Sequence, residues 1–278
     1  MSGAEYFDDS FAINAYMDDK IPVLLERAIQ EHNDIRECFE KAGIEVVKVE
    51  APSSSQDGVY TANWALTRGK KAVMANLPNM RESEEQYAEK ILKGLGFEIV
   101  KLPKEFHFSG QGDALPCGRY LFIGTGFRTS PETHPLLARE LGFEIIGLQT
   151  IPQLDDRGQA TINSVTGWPD SFFYDLDLAL AVINPNLIAW CPEAFMPASQ
   201  ERIRAIADVE KIEVSIEEAM NGFACNLVST GESVVMSNHA PKLQKILENK
   251  GLRVYTPDVT ELLKGGGFIR CTSLTLNN

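Results

Sequence analysis

The 278-residue sequence lacks the features that mark several large functional classes. Its apolar runs, such as LALAVI at 178–183, fall far short of the roughly 20 residues that cross a bilayer. No membrane association is expected. The first twenty residues carry Glu5, Asp8, Asp9, Asp18 and Asp19 and no basic start, so they do not read as a secretory signal. Basic residues are outnumbered, 26 Lys and Arg against 39 Asp and Glu. A net charge of −13 argues against a nucleic-acid partner, which needs a concentrated basic face. Five cysteines without regular spacing do not form a disulfide framework, and a reducing, cytoplasmic setting is expected. With no CxxC and only four scattered histidines, neither a metal site nor a cofactor is expected. GxGxxG and GxxxxGK[ST] are both missing, which removes the two commonest nucleotide loops.

What is present is a repeated theme. AGIEVVKV (42–49), LGFEIVKL (95–102) and LGFEIIGL (141–148) each follow an amphipathic, charge-rich segment, with weaker copies at 210–216 and 250–256. In each, a helical period stops and an apolar strand begins. The segment at 82–94 puts Tyr87, Ile91 and Leu92 on one face, and 240–251 does the same with Leu243, Ile246 and Leu247. A further apolar strand lies upstream of four copies, at 71–77, 119–125, 186–191 and 232–237. Five strand–helix–strand units in a chain with no dividing linker predict a single α/β domain over 1–278, built as a five-bladed propeller. A doubly wound open sheet satisfies the same alternation. The polar stretch 154–170 reads equally as a binding loop or a surface insertion.

Polar residues cluster beside the strand signals. In QDGVYTANWAL, Asp57 and Asn63 bracket an apolar strand; Asp113 follows two glycines in FSGQGDAL; Arg128 ends a strand in GTGFRTS. In FFYDLDLALAV the period of two puts Asp175 and Asp177 on one strand face, where like charges raise the affinity for a proton or a cation. Arg128 is suited to a bidentate carboxylate contact. Arg81 lies at a helix start, against the dipole. Cys38 and Cys191 read as structural, Cys117 and Cys225 carry no pattern, and His239 reads as a surface residue. Cys271 follows three glycines in GGGFIRCTSLTLNN: either the cysteine packs under the last strand, or the glycines clear space for something to approach its sulfur.

Taken in order, DGVYTAN, GQGDAL, GTGFRT, FYDLDLALAV and GGGFIRCTSLTL resemble the guanidine-modifying superfamily of arginine deiminases, dimethylarginine dimethylaminohydrolases, arginine dihydrolases and amidinotransferases. The resemblance spans nearly the whole chain and implies the five-bladed α/β propeller. It also implies a nucleophilic Cys271 that attacks the guanidinium carbon and passes through an S-alkylthiouronium intermediate. A cationic substrate beside the sulfur would lower its pKa. Asp177 matches the carboxylate that holds the guanidinium and Asn63 a second such contact. Arg128 and Arg81 match positions that hold a substrate carboxylate, and Asp57 and Asp113 match acids of the pocket wall.

Two positions depart from that pattern. The general acid/base of the family is a histidine two residues before the guanidinium carboxylate, and here Asp175 stands there. The partner acid before the glycines is Ser109. The resemblance therefore leaves three readings: a hydrolase of a small cationic guanidino compound with Asp175 as acid/base, an amidinotransferase, or a guanidinium-binding protein without turnover. The sequence leaves monomer and homo-oligomer open.

Overall fold

The computed structural model describes every residue except 15, 18, 19 and 278, and of Asn79 only the backbone. Asp18 and Asp19, counted above among the early acids, lie outside the described residues. The first helix, α1 (Leu25–Lys41), buries Ala28, Ile35 and Phe39 along one stripe, the spacing of an amphipathic helix. After it, β1 (Ala65–Arg68) turns through Gly69, at φ 57°, into antiparallel β2 (Lys71–Met74). The two-residue turn needs left-handed backbone, which glycine adopts without cost from a side chain. Helix α2 (Glu82–Gly94) then returns the chain so that β3 (Glu98–Val100) pairs with β2 in parallel, a connection that requires a crossover.

The same plan recurs three times. Helix α3 (Gly110–Asp113) leads into β4 (Ala114–Cys117) and β5 (Tyr120–Gly124), and α4 (Thr133–Leu141) crosses to β6 (Glu144–Leu148). The hairpin β7 (Leu180–Asn184) and β8 (Leu187–Trp190) is followed by α5 (Pro197–Ala205) and β9 (Glu210–Glu213). Last come α6 (Ile216–Gly222), β10 (Val228–Ser229), β11 (Ser233–Val235), α7 (Pro241–Asn249) and β12 (Arg253–Tyr255). Each three-stranded sheet is one blade of the α/β propeller. Pro241 opens α7, where its missing N–H costs nothing. Leu243 and Leu247 are buried there, but Ile246 is 37% exposed.

Three sequence expectations change. Residues 42–49 form no strand, so the fifth unit is incomplete. Among the described residues, its strand-like contacts run from the Met1 amine to the Val47 carbonyl (2.9 Å) and from the Val49 amide to the Met1 carbonyl (3.0 Å). Asp175 and Asp177 do not share a strand face either: Leu176–Leu178 is a short 3-10 turn, and β7 starts only at Leu180. Nor is the segment between Asp57 and Asn63 a strand, because Thr61–Trp64 is a 3-10 turn that ends where β1 begins.

Those turns position the site. Each blade is entered through a tight segment just before its first strand, and these entries carry Asn63, Asp113, Asp177 and Asn226. Cys271 holds the corresponding place before the C-terminal segment. Five chain entries therefore converge on one axis, each delivering one polar side chain.

Candidate active site

Cys271 is 4% exposed. Its backbone is fixed from two sides: its carbonyl accepts the Ala62 amide (3.1 Å), and its amide points at Asn226 Oδ1 (3.3 Å). The same oxygen accepts the Arg270 amide at 2.9 Å, while Asn226 Nδ2 donates toward the Cys271 sulfur at 3.2 Å. The thiol in turn faces Asp177 Oδ2 at 3.5 Å. Burial, then the Asp177 charge, push the Cys271 thiol well above its ordinary range. Burial therefore favours the thiol form of Cys271, and a cation beside the sulfur would shift it toward the thiolate.

A second acid layer lies beside it. Asp175 Oδ2 accepts Asn63 Nδ2 at 2.8 Å, and the same amide group reaches the Ser109 hydroxyl (2.9 Å) and carbonyl (3.0 Å). A Cβ at residue 112 would collide with Asn63 and Asp175, so Gly112 is what lets the two meet. Asp113 Oδ1 accepts the Leu176 amide at 2.9 Å and thereby ties the second blade entry to the third. Burial raises Asp113, Asp175 and Asp177, and the charge of Asp175 raises the other two further. Arg128, Ser109 and Asn63 counter part of the rise at Asp175. One oxygen on each of Asp175 and Asp177 has no hydrogen-bond partner. Unpaired buried carboxylate oxygens are costly, and a planar cation with several N–H donors would satisfy both.

The two arginines divide sharply. Arg81 is spent on structure: it grips Glu84 bidentately at 2.8 Å through each contact, and it also donates to Asn63 Oδ1 and to the carbonyls of Asp57 and Tyr60. Arg128 gives Nη2 to the Ile13 carbonyl (2.6 Å) and lies over the Tyr174 ring at 4.9 Å, but its buried Nε has no partner. Arg128 is thus the one of the two with an unspent donor for a carboxylate. Asp57, which lines the same cavity as Arg81, is pushed up to about 7 by burial.

The cavity among these groups measures about 20 Å³, room for about one water molecule. Its cover is the segment around Ile13 and Asn14; Asn14 Nδ2 donates to the Gly265 carbonyl at 2.9 Å. Tyr16 packs edge-on against Phe172 and Tyr174. The 154–170 loop contains two short bridges, Leu154 to Ala160 and Ile162 to Pro169. Trp168 on it stacks on His107 at 3.8 Å and lies 5.7 Å from Arg128, and Asn163 reaches the Ala12 carbonyl. The glycines at 265–267 serve packing as well as access. Side chains there would strike Tyr60 and Asn14, and Gly266 has φ 80°.

The structure thus brings Cys271, Asp175, Asp177, Asn63 and Asp113 into one cluster, and Arg128, Asp57 and Arg81 line the same cavity as Cys271, Asp175 and Asn63. Cys191 and Cys225 are buried, Cys38 is partly buried, and His239 is exposed. Sequence reasoning missed Asn226 and Asn14. The signal for Asn226 was its place two residues before a first strand, the same as Asn63, but that register is visible only once the blades are aligned.

Fold and site together define a cysteine-centred α/β propeller with an acid-lined axial pocket. Comparison with known proteins makes this specific. The family model for N,N-dimethylarginine dimethylhydrolase, eukaryotic, matches residues 6–277, and the chain belongs to that family. The N(G),N(G)-dimethylarginine dimethylaminohydrolase of Mycobacterium tuberculosis is 31% identical over 280 residues, covering 100% of this chain and 85% of that protein. The bifunctional arginine dihydrolase/ornithine cyclodeaminase AgrE of Nostoc sp. is 30% identical over 279 residues, 99% of this chain but 37% of that protein. This chain therefore spans well under half of that bifunctional relative. The N-terminal domain of ArgZ, a cyanobacterial arginine dihydrolase solved with its product, superposes with a TM-score of 0.86 at 28% identity, covering 98% of this chain and 94% of that one. Among the described residues, no helix is long and apolar enough to cross a membrane.

Proposed function

We propose that this chain hydrolyses a guanidino C–N bond of a small cationic arginine-type compound, with Cys271 as nucleophile. The observation that carries the reading is the Cys271 sulfur held between Asn226 and Asp177. Beside it, Asp175 and Asp177 each keep an unpaired buried oxygen.

The guanidinium enters against Asp177 and Asp175, and its charge offsets the burial that keeps the thiol protonated. As the S–C bond forms, the thiol proton passes to Asp177. The leaving ammonia or amine takes a proton from Asp175, whose pKa burial raises. Water then adds to the thiouronium carbon and loses its proton to Asp175. The C–S bond breaks as Asp177 returns its proton to the sulfur, and the intermediate's hydroxyl proton leaves with the released amine as its ammonium, giving a ureido product and a regenerated thiol. Arg128 holds the substrate carboxylate. Asp175 thus takes the acid/base role, with Ser109 and Asn63 as its hydrogen-bonding partners.

A second reading, guanidinium binding without turnover, is favoured by one observation: a carboxylate replaces the imidazole. Incubation with arginine, methylarginines and agmatine, monitoring ureido products, ornithine and ammonia, separates the two. Turnover lost in Cys271→Ser supports the hydrolase. Thermal stabilisation by these compounds without product from the parent chain supports binding alone, and turnover that survives Cys271→Ser removes the thiol mechanism.

A further inference from the structure

Asn63 lies between an arginine and an acid, and the chemistry on both sides dictates which way its amide points. On one side Arg81 Nη1 donates to Asn63 Oδ1 at 2.9 Å. A guanidinium carries donors only, so the amide oxygen must face it. On the other side Asn63 Nδ2 lies 3.0 Å from the Ser109 carbonyl and 2.8 Å from Asp175 Oδ2, two acceptors that a flipped amide would repel. Arg81 is itself fixed, because Glu84 accepts its Nε and its Nη2 at 2.8 Å each. Glu84 is held in turn by the Ser55 hydroxyl at 2.5 Å and by Trp64 Nε1 at 3.1 Å. Glu84, Arg81, Asn63 and Asp175, all buried, thus form a chain in which each side chain orients the next.

This orientation decides what Asn63 can hold. The group it turns toward Asp175 is an N–H, and a guanidinium, whose polar atoms are all N–H donors, finds no acceptor there. Asp175 is the residue that benefits. Its Oδ2 is held by Asn63, while its Oδ1 has no partner and is left for a ligand or a proton. The contact depends on bare backbone beside it, since a Cβ at residue 112 would come within 2.4 Å of Asn63 Nδ2 and 2.6 Å of Asp175 Oδ2.

We infer that Asn63 is a positioning residue for Asp175, its amide held in one orientation by Arg81, and that it does not grip the guanidinium. The inference rests on the reading of Asp175 as the acid/base. A donated N–H favours the ionised carboxylate, as Arg128, Ser109 and Arg81 also do. Asp113, Asp177, Cys271 and Tyr174 lie within reach of the same charge, which disfavours their ionised forms. Removing the Asn63 donor therefore moves the Asp175 titration upward.

The test follows turnover of arginine against pH in the parent, in Asn63→Ala, and in Arg81→Met/Glu84→Gln, which removes the arginine without stranding its acid. For Asn63→Ala the alkaline fall of kcat is expected about one pH unit higher, with KM within about threefold of the parent. Arg81→Met/Glu84→Gln should move it the same way. Adding Asn63→Ala to that pair should then move it little further, the non-additivity of groups that act through one another. A rise in KM of about tenfold or more with an unmoved pH profile would make Asn63 a guanidinium contact and overturn the inference. Fully additive movements would overturn it as well, since Arg81 would then act independently of Asn63. Difference infrared titration of the Asp175 carboxyl, identified by its loss in Asp175→Asn, makes the same comparison without turnover. A parent that forms no product therefore counts against hydrolysis alone, whereas an Asp175 titration unmoved in Asn63→Ala counts against the positioning role.

Discussion

Asn226 and Cys271 are bound to each other twice: Asn226 Nδ2 lies 3.2 Å from the sulfur, and Asn226 Oδ1 faces the Cys271 amide at 3.3 Å. One side chain thus fixes the backbone of the proposed nucleophile and would donate to a thiolate formed on it. Replacing Asn226 by Ala removes a donor to a developing thiolate, an interaction worth about 1.5–3 kcal/mol. The expected result is a fall in kcat of about 10- to 100-fold with KM little changed. The pH profile for alkylation of Cys271 should also move upward. Equal losses in kcat and in Tm, with an unmoved alkylation profile, would reduce Asn226 to a packing role.

Asp175 carries the largest chemical consequence. Asp175→Asn keeps the hydrogen bond to the Asn63 side chain within reach of its amide oxygen but cannot hold a mobile proton. Loss of a positioned acid costs about 10²- to 10⁴-fold, and steady-state turnover of the accepted guanidino compound measures it. The parent should also lose activity as pH rises through the elevated Asp175 titration, since the leaving amine needs its proton. Full activity in Asp175→Asn would remove the residue from the mechanism.

Arg81 and Arg128 should separate cleanly. Arg128→Gln is expected to raise KM for substrates bearing a carboxylate and to leave agmatine, which has none, nearly unaffected. Arg81→Gln instead strands Glu84, which is fully buried; breaking a buried pair costs about 3–5 kcal/mol. Denaturant unfolding of the two variants, beside their kinetics, tests the division.

Asp57 and His32 should contribute to the pH dependence of stability in opposite directions, beside Asp113, Asp175 and Asp177, whose raised pKa acts with the same sign as Asp57. Asp57 rises from 3.8 to about 7 on folding, chiefly through burial. Its contribution is complete below pH 3.8 and is lost as pH climbs to about 7. His32 falls from 6.5 to about 3, again chiefly through burial. Its contribution is complete above pH 6.5 and is lost as pH drops toward 3. Between pH 4 and 6.5 the two slopes, each at most about 1.4 kcal/mol per pH unit, oppose one another. Relative to the parent, His32→Leu should therefore make stability fall more steeply with rising pH in that window, and Asp57→Asn should make it fall less steeply. Urea unfolding at half-unit pH steps would show both; parallel profiles for parent and variants would contradict the assignment.

The repeats and the motif order were legible in the sequence because each blade is a local unit. A turn, a helix period and an apolar strand lie within a few dozen residues, so hydrophobic spacing alone reports them. Cys271 and Arg128 were placed as candidates for a related reason, since they sit in short glycine-marked stretches, whereas Asp177 was placed by its motif's order in the chain. The strand assumed for Asp175 and Asp177 failed because a period of two does not distinguish a strand from a 3-10 turn capped by extended backbone. Asn226 was invisible because its importance is a 3.2 Å contact across 45 residues. The fate of Arg81 was likewise decided in space, since only folding could show that Glu84 had already taken its guanidinium. The sequence by itself determined a repeating α/β chain with a cysteine poised near its end. Tertiary structure alone decided which acids face that sulfur, which arginine is left to meet a ligand, and that the fifth unit is incomplete. These are matters of closure around an axis, where residues from five distant chain segments meet.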